Sequence, residues 1–330
     1  MRLMDLGWEQ YQQKLNPETA ISGENVARVA VENRGSYLLY SELGELEGIL
    51  RGKFMRDAKN DSDYPKVGDW VVFEKLQGEN KAIITTILPR ASKISRKKAG
   101  ENSEEQIIAT NIEIVFIIQG LDGDFNLGRL ARYVAMTNEG NCQPVILLNK
   151  CDLTPDAPAK LAEVQQALPG ITIFLTSATT GFGVEDVRPL IESGISVVFV
   201  GSSGTGKSTL INNLLGIDRQ STGEIRIDDS KGKHTTTRRE LILLESGGVL
   251  IDTPGMRELG MWTEEETTPE VFADIDALIG NCKFNDCDHQ TNPGCAVANA
   301  VARGEISKDN YQSFLKIKNN TDSRHKRGRK

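Results

Sequence analysis

The chain has 330 residues, with 39 Lys or Arg against 46 Asp or Glu, a formal charge of −7. That length predicts two or three domains, and a 38% hydrophobic share with 26% charged residues excludes a wholly disordered chain. No apolar run approaches the roughly 18 residues of a membrane span, and the N-terminus MRLMDLGWEQYQQ carries acidic and amide groups where a secretion signal needs an apolar stretch, so a cytoplasmic protein with no membrane contact is expected.

Residues 1–24 read as an N-terminal extension. Over 25–99 come short apolar runs (VARVAVEN, SYLLYSEL, GDWVVFEK and KAIITTILP) separated by Gly, Asn and Asp, which predict a five-stranded barrel of the OB type. A basic stretch at 90–98 closes this region. Over 100–264 near-continuous apolar strands alternate with helical patterns: IEIVFIIQG with LGRLARYVAMTN, PVILLNK with PAKLAEVQQAL, ITIFLTSA with VEDVRPLIES, and SVVFVGSSG with KSTLINNLLG. Such alternation predicts a mostly parallel α/β sheet covered on both faces. Residues 265–330 read as helical, interrupted by a Cys/His cluster and ending in the basic run RHKRGRK.

Four motifs fall in the α/β region. Asn149-Lys150-Cys151-Asp152 closes a strand and matches N-K-x-D. The Asp152 carboxylate suits guanine N1–H and N2–H₂, whereas adenine would leave it desolvated and unpaired. Asn149 would hold the base edge and the loop, and the Lys150 stem would cover the base plane. Ser177-Ala178 follows the next strand and supplies a backbone N–H for guanine O6. Gly201-Ser202-Ser203-Gly204-Thr205-Gly206-Lys207-Ser208 matches the phosphate loop G-x-x-x-x-G-K-S between a strand and a helix. Its N–H groups face the anion, Lys207 reaches the β- and γ-phosphates, Ser208 ligates Mg²⁺, and Thr209 follows among the binding residues. Asp252-Thr253-Pro254-Gly255 matches D-x-x-G, with Asp252 holding Mg²⁺ through water and the Gly255 N–H sensing the γ-phosphate.

The order of these motifs is rotated relative to ordinary GTPases, in which the phosphate loop comes first. Joining the old ends through the short link at 192–195 preserves every strand neighbour. The rotated order, the preceding barrel, the segment Gly232-Lys233-His234-Thr235-Thr236-Thr237 and the Cys/His cluster resemble the RsgA (YjeQ) GTPases of small-ribosomal-subunit biogenesis. The resemblance runs from about residue 25 to 318. It implies a multidomain protein with an OB barrel, a circularly permuted P-loop GTPase domain and a zinc-binding helical domain. It further implies GTP hydrolysis to GDP linked to maturation of the 30S subunit, with binding to 16S rRNA; a monomer that binds no DNA is expected.

Within Thr235–Thr237, Thr236 is the favoured switch threonine for Mg²⁺. The position after Gly255, where many GTPases carry a water-orienting Gln, is Met256, which cannot orient water; slow intrinsic hydrolysis is expected, with His234 the nearest candidate to position water or a proton. Of five cysteines, Cys282, Cys287 and Cys295 cluster with His289. An odd count in a cytosolic chain disfavours a disulfide framework, and Cys₃His is a full tetrahedral set for one structural Zn²⁺.

Overall fold

In the computed structural model, the described residues are 1–15, 25–97, 105–123, 125–202, 204–215, 239–245 and 247–252, with 275, 278–279, 281–283, 287–290, 293–306 and 311 of the C-terminal part. Strands β1 (Val26–Glu32), β2 (Tyr37–Ser41), β3 (Gly44–Leu50), β4 (Trp70–Lys75) and β5 (Lys81–Ile87), with α2 (Gly52–Asp57) between β3 and β4, close in the order β1-β2-β3-β5-β4-β1. β3 and β5 run parallel and the other neighbours antiparallel, which is OB connectivity. Val29, Leu39, Leu46, Val71, Phe73 and Ile84 fill the interior. The apolar runs did not isolate β3. Its sequence GELEGIL mixes Glu and Gly, yet Gly48 serves the core: a Cβ there would stand 2.8 Å from the Leu39 side chain packed against it.

Two residues of the basic stretch after the barrel, Arg90 and Lys93, have partners within the chain. Arg90 grips the buried Asp69 carboxylate through Nε (2.8 Å) and Nη2 (2.7 Å) and also donates to the Ser62 and Tyr64 carbonyls. Lys93 pairs with Glu105 at 2.6 Å across a hairpin of β6 (Lys93–Lys97) and β7 (Glu105–Thr110).

The α/β sheet comprises β8 (Ile114–Gly120), β9 (Gln143–Asn149), β10 (Thr172–Leu175), β11 (Ser196–Gly201), β12 (Glu240–Leu243) and β13 (Val249–Asp252), in the spatial order β10-β9-β8-β11-β13-β12. All neighbours are parallel except β12 and β13. Alternation along β8 serves both faces. Val115 and Ile117 pack towards α3 (Leu127–Glu139) and α4 (Ala157–Ala167), whereas Ile114, Phe116 and Ile118 pack towards α5 (Val184–Val187) and α6 (Lys207–Leu215). The helix expected over VEDVRPLIES is short: Pro189 lacks an N–H, and α5 passes into a 3₁₀ turn at Arg188–Leu190.

Barrel and α/β sheet are continuous. β1 pairs antiparallel with β12 at Val31 and Glu240. The N-terminal residues fold back on this junction as a 3₁₀ turn (Leu3–Leu6) and α1 (Trp8–Lys14), burying Leu3, Leu6, Trp8 and Tyr11 beside Trp70. In the C-terminal part, α7 (Ala296–Ala302) packs with Ile275, Cys287 and Ile306 in a core of its own.

Candidate nucleotide site and metal centre

The chain leaves β8 towards β9 on one side, while β11 lies on the other and continues towards β13. The carboxyl ends of β8 and β11 are thus a topological switch point, where open α/β sheets bind ligands. Gly120, Asn149 and Gly201 close β8, β9 and β11 there, and the candidate loops all start from that edge.

Asn149 joins these loops. Its buried side chain donates from Nδ2 to the Thr205 carbonyl at 2.8 Å, inside the phosphate loop. Its Oδ1 accepts from the Ala178 N–H at 3.0 Å. A single amide therefore fixes the phosphate loop to the Ser177-Ala178 turn. Gly206, at φ 83°, has to be glycine, because a Cβ would collide with Asn149 Nδ2. From below, Asn213 of α6 donates to the Ala178 carbonyl at 2.5 Å. Within the phosphate loop, Thr205 Oγ1 donates to the Ser202 carbonyl at 3.0 Å, and Lys207 Nζ donates back to the Gly201 carbonyl at 3.2 Å.

Asp152 is exposed in a 3₁₀ turn (Cys151–Leu153) that the Cys151 N–H ties to the Thr176 carbonyl at 3.2 Å. Lys150 stands before it at φ 67°, its Nζ 2.5 Å from Asp122 Oδ2. Asp152, the Ser177-Ala178 turn, Ser202, Gly204 to Gly206, the first turn of α6 with Lys207 to Thr209, and Asp252 at the end of β13 all stand at this one edge. Ser208, exposed in the first turn of α6, and Asp252 are hard oxygen donors of the kind Mg²⁺ takes. Ser203, His234, Thr235–Thr237, Gly255 and Met256 lie outside the described residues.

The second cluster fits a metal. One ligand atom from each of Cys282, Cys287, His289 and Cys295 lies within 4.8 Å of all the others. His289 Nδ1 is 3.5 Å from Cys282 Sγ and 3.7 Å from Cys295 Sγ, and the two sulfurs are 4.0 Å apart. Tetrahedral zinc, with bonds of about 2.0–2.3 Å, separates its ligand atoms by about 3.4–3.8 Å. The donor set and its edges therefore suit Zn²⁺. His289 is held at φ 62° while the Tyr311 hydroxyl donates to its carbonyl, and Cys295 Sγ accepts from the Ala298 N–H at 3.3 Å to cap α7.

A family model described as RsgA GTPase matches residues 87–262. Small ribosomal subunit biogenesis GTPase RsgA 1 of Oceanobacillus iheyensis is 42% identical over 308 residues, covering 93% of this chain and 87% of the relative. The chain belongs to the RsgA GTPase family. It is accordingly a GTPase, the enzyme class its motifs predicted. The RsgA protein of Opitutus terrae is 39% identical over 327 residues, covering 96% of this chain and 89% of its own. The fold of this family member resembles the crystal structure of YjeQ from Thermotoga maritima, with a TM-score of 0.57 at 23% identity over 89% of this chain and 96% of that one. It also resembles YloQ, a circularly permuted GTPase, with a TM-score of 0.55 at 22% identity over 92% of this chain and 99% of that one. Sequence reasoning missed Asp122 and Asn213, which carry no local motif and reach the site from β8 and α6.

Proposed function

We propose that the protein binds GTP with Mg²⁺ at the edge defined by Asn149, Gly201 and Asp252, and hydrolyses it to GDP and phosphate on the small (30S) ribosomal subunit during late maturation. Asp152 selects guanine, the Lys150 stem lies against the base, and Ser177 and Ala178 present a backbone N–H to O6. The phosphate loop from Gly201 to Ser208 cradles the phosphates, and Lys207 neutralises their charge. Ser208 and Thr236, with Asp252 through water, would hold Mg²⁺, which would supply charge stabilisation at the phosphates. Gly255 reports the γ-phosphate, and His234 positions water in the complex with the partner. Zn²⁺ on Cys282, Cys287, His289 and Cys295 is structural, since four protein ligands leave no open position. The working division is 1–24, 25–99, 100–264 and 265–330, acting in the cytoplasm as a monomer that contacts 16S rRNA. Among the described residues no helix is long and apolar enough to cross a membrane.

One observation carries this reading: Asn149 links the base loop to the phosphate loop through Thr205 and Ala178, so both ends of a nucleotide meet one rigid unit. Co-sedimentation with separated 30S and 50S subunits in a non-hydrolysable GTP analogue tests the partner, with retention on 30S alone expected. Retention on 50S would assign the protein to the other subunit. GTP turnover should rise at least tenfold with 30S, as order of magnitude for a partner-completed site, and His234→Ala should abolish most of that rise; an undiminished rise removes His234 from the mechanism.

A further inference from the structure

Asp122 lies two residues beyond Gly120, the last residue of β8, whose partner in register on β9 is Asn149. Its Oδ2 stands 2.5 Å from Lys150 Nζ, with the two side chains 34% and 25% exposed. Two further features make this pair part of the site's construction. A Cβ on Gly120 would stand 2.7 Å from Asp122 Oδ1 and 3.7 Å from Lys150 Cδ, so glycine leaves the room in which the carboxylate folds back over the strand end. Lys150 itself occupies the left-handed region at φ 67°, which a residue with a side chain enters only when its surroundings hold it there. Here the Leu121 N–H on the Asn149 carbonyl (2.9 Å) and the Cys151 N–H on the Thr176 carbonyl (3.2 Å) fix both neighbours of Lys150.

We propose that Asp122 is a positioning residue for guanine nucleotides: its carboxylate clamps the Lys150 ammonium so that the lysine stem is already ordered where the base plane lies. The inference rests on the reading of residues 149–152 as the base loop. An unclamped lysine stem samples many rotamers, and ordering it on binding weakens affinity; a partner that orders it beforehand removes that cost. A half-exposed ion pair adds little to folding stability. The effect of removing Asp122 therefore appears in nucleotide affinity and hardly at all in the melting temperature.

Titration calorimetry of GDP against the full-length chain tests this with Asp122→Ala, Lys150→Met and the double variant. Asp122→Ala should weaken GDP binding about fivefold with an unchanged melting temperature, and Asp122→Asn, which keeps an acceptor oxygen without the charge, should fall between it and the parent. Gly120→Ala, which displaces the carboxylate without deleting it, should weaken binding to a similar extent. In the Lys150→Met background, Asp122→Ala should cost nothing further. Parent-like affinity in Asp122→Ala, or losses that multiply in the double variant, overturns the clamp. Asp152→Asn separates this failure from that of the base loop itself. If its preference moves from GDP to XDP while Asp122→Ala binds like the parent, only the clamp fails; if GDP stays preferred, the base-loop reading fails and the clamp with it.

Discussion

Arg28 is 1% exposed, and its guanidinium donates to the carbonyls of Leu6, Gly68 (3.3 Å) and Asn111 (2.7 Å) and to Ser196 Oγ (2.8 Å). The ring of Trp70 lies 5.3 Å from its central carbon. Burial pulls its pKa down to about 10, with the charges of Glu113 and Asp69 opposing the shift, so it stays protonated at neutral pH. One side chain thus bonds the N-terminal turn, the barrel, the β7–β8 connection and the strand that leads to the phosphate loop. Arg28→Met would fill the volume and strand those acceptors, at about 1–3 kcal/mol for each acceptor that water cannot reach. We expect a loss of at least about 3 kcal/mol, measured from the urea midpoint at constant slope. Arg28→Lys should recover less than half, because an ammonium cannot fan out to four acceptors on different segments.

At the scale of elements, α7 has only seven residues, and the core it shares with the other described residues of the C-terminal part is too small to fix them by burial alone. A metal held by the Cys/His set would supply the missing constraint, with Cys295 both a ligand candidate and the cap of α7. Purified protein should contain one zinc per chain by atomic absorption. Chelation should remove the helical signal of this segment while GDP binding persists, since the base and phosphate loops hang from the α/β sheet. Loss of GDP binding on chelation would instead tie the metal to the nucleotide site.

For the whole molecule, the sheet runs without a break from β10 through β12 to the barrel strands. The apolar cluster on that side joins Leu3 and Trp8 of the N-terminal segment, Val26 and Trp70 of the barrel, and Val115 and Ile251 of the α/β sheet. Shared burial couples their unfolding. Calorimetry should therefore show one transition for barrel and α/β sheet together, and a second, zinc-dependent one for the C-terminal segment. Two metal-independent transitions would mean that the junction contributes little.

The residues by themselves carried the strand–helix alternation, the barrel class, the N-K-x-D and G-x-x-x-x-G-K-S motifs and the Cys₃His set. These depend on local periodicity and on chemistry carried by neighbours within a few positions. Tertiary structure decided what local pattern cannot encode. It placed Arg90 inside on Asp69 rather than on a basic surface, paired the strand within SYLLYSEL with β3, folded the N-terminal segment over Trp70, and brought Asp122 to Lys150 from the neighbouring strand. Each of these depends on a contact between chain segments distant in sequence, or on the pairing of a strand whose composition conceals it, and only the closed fold sets such pairings.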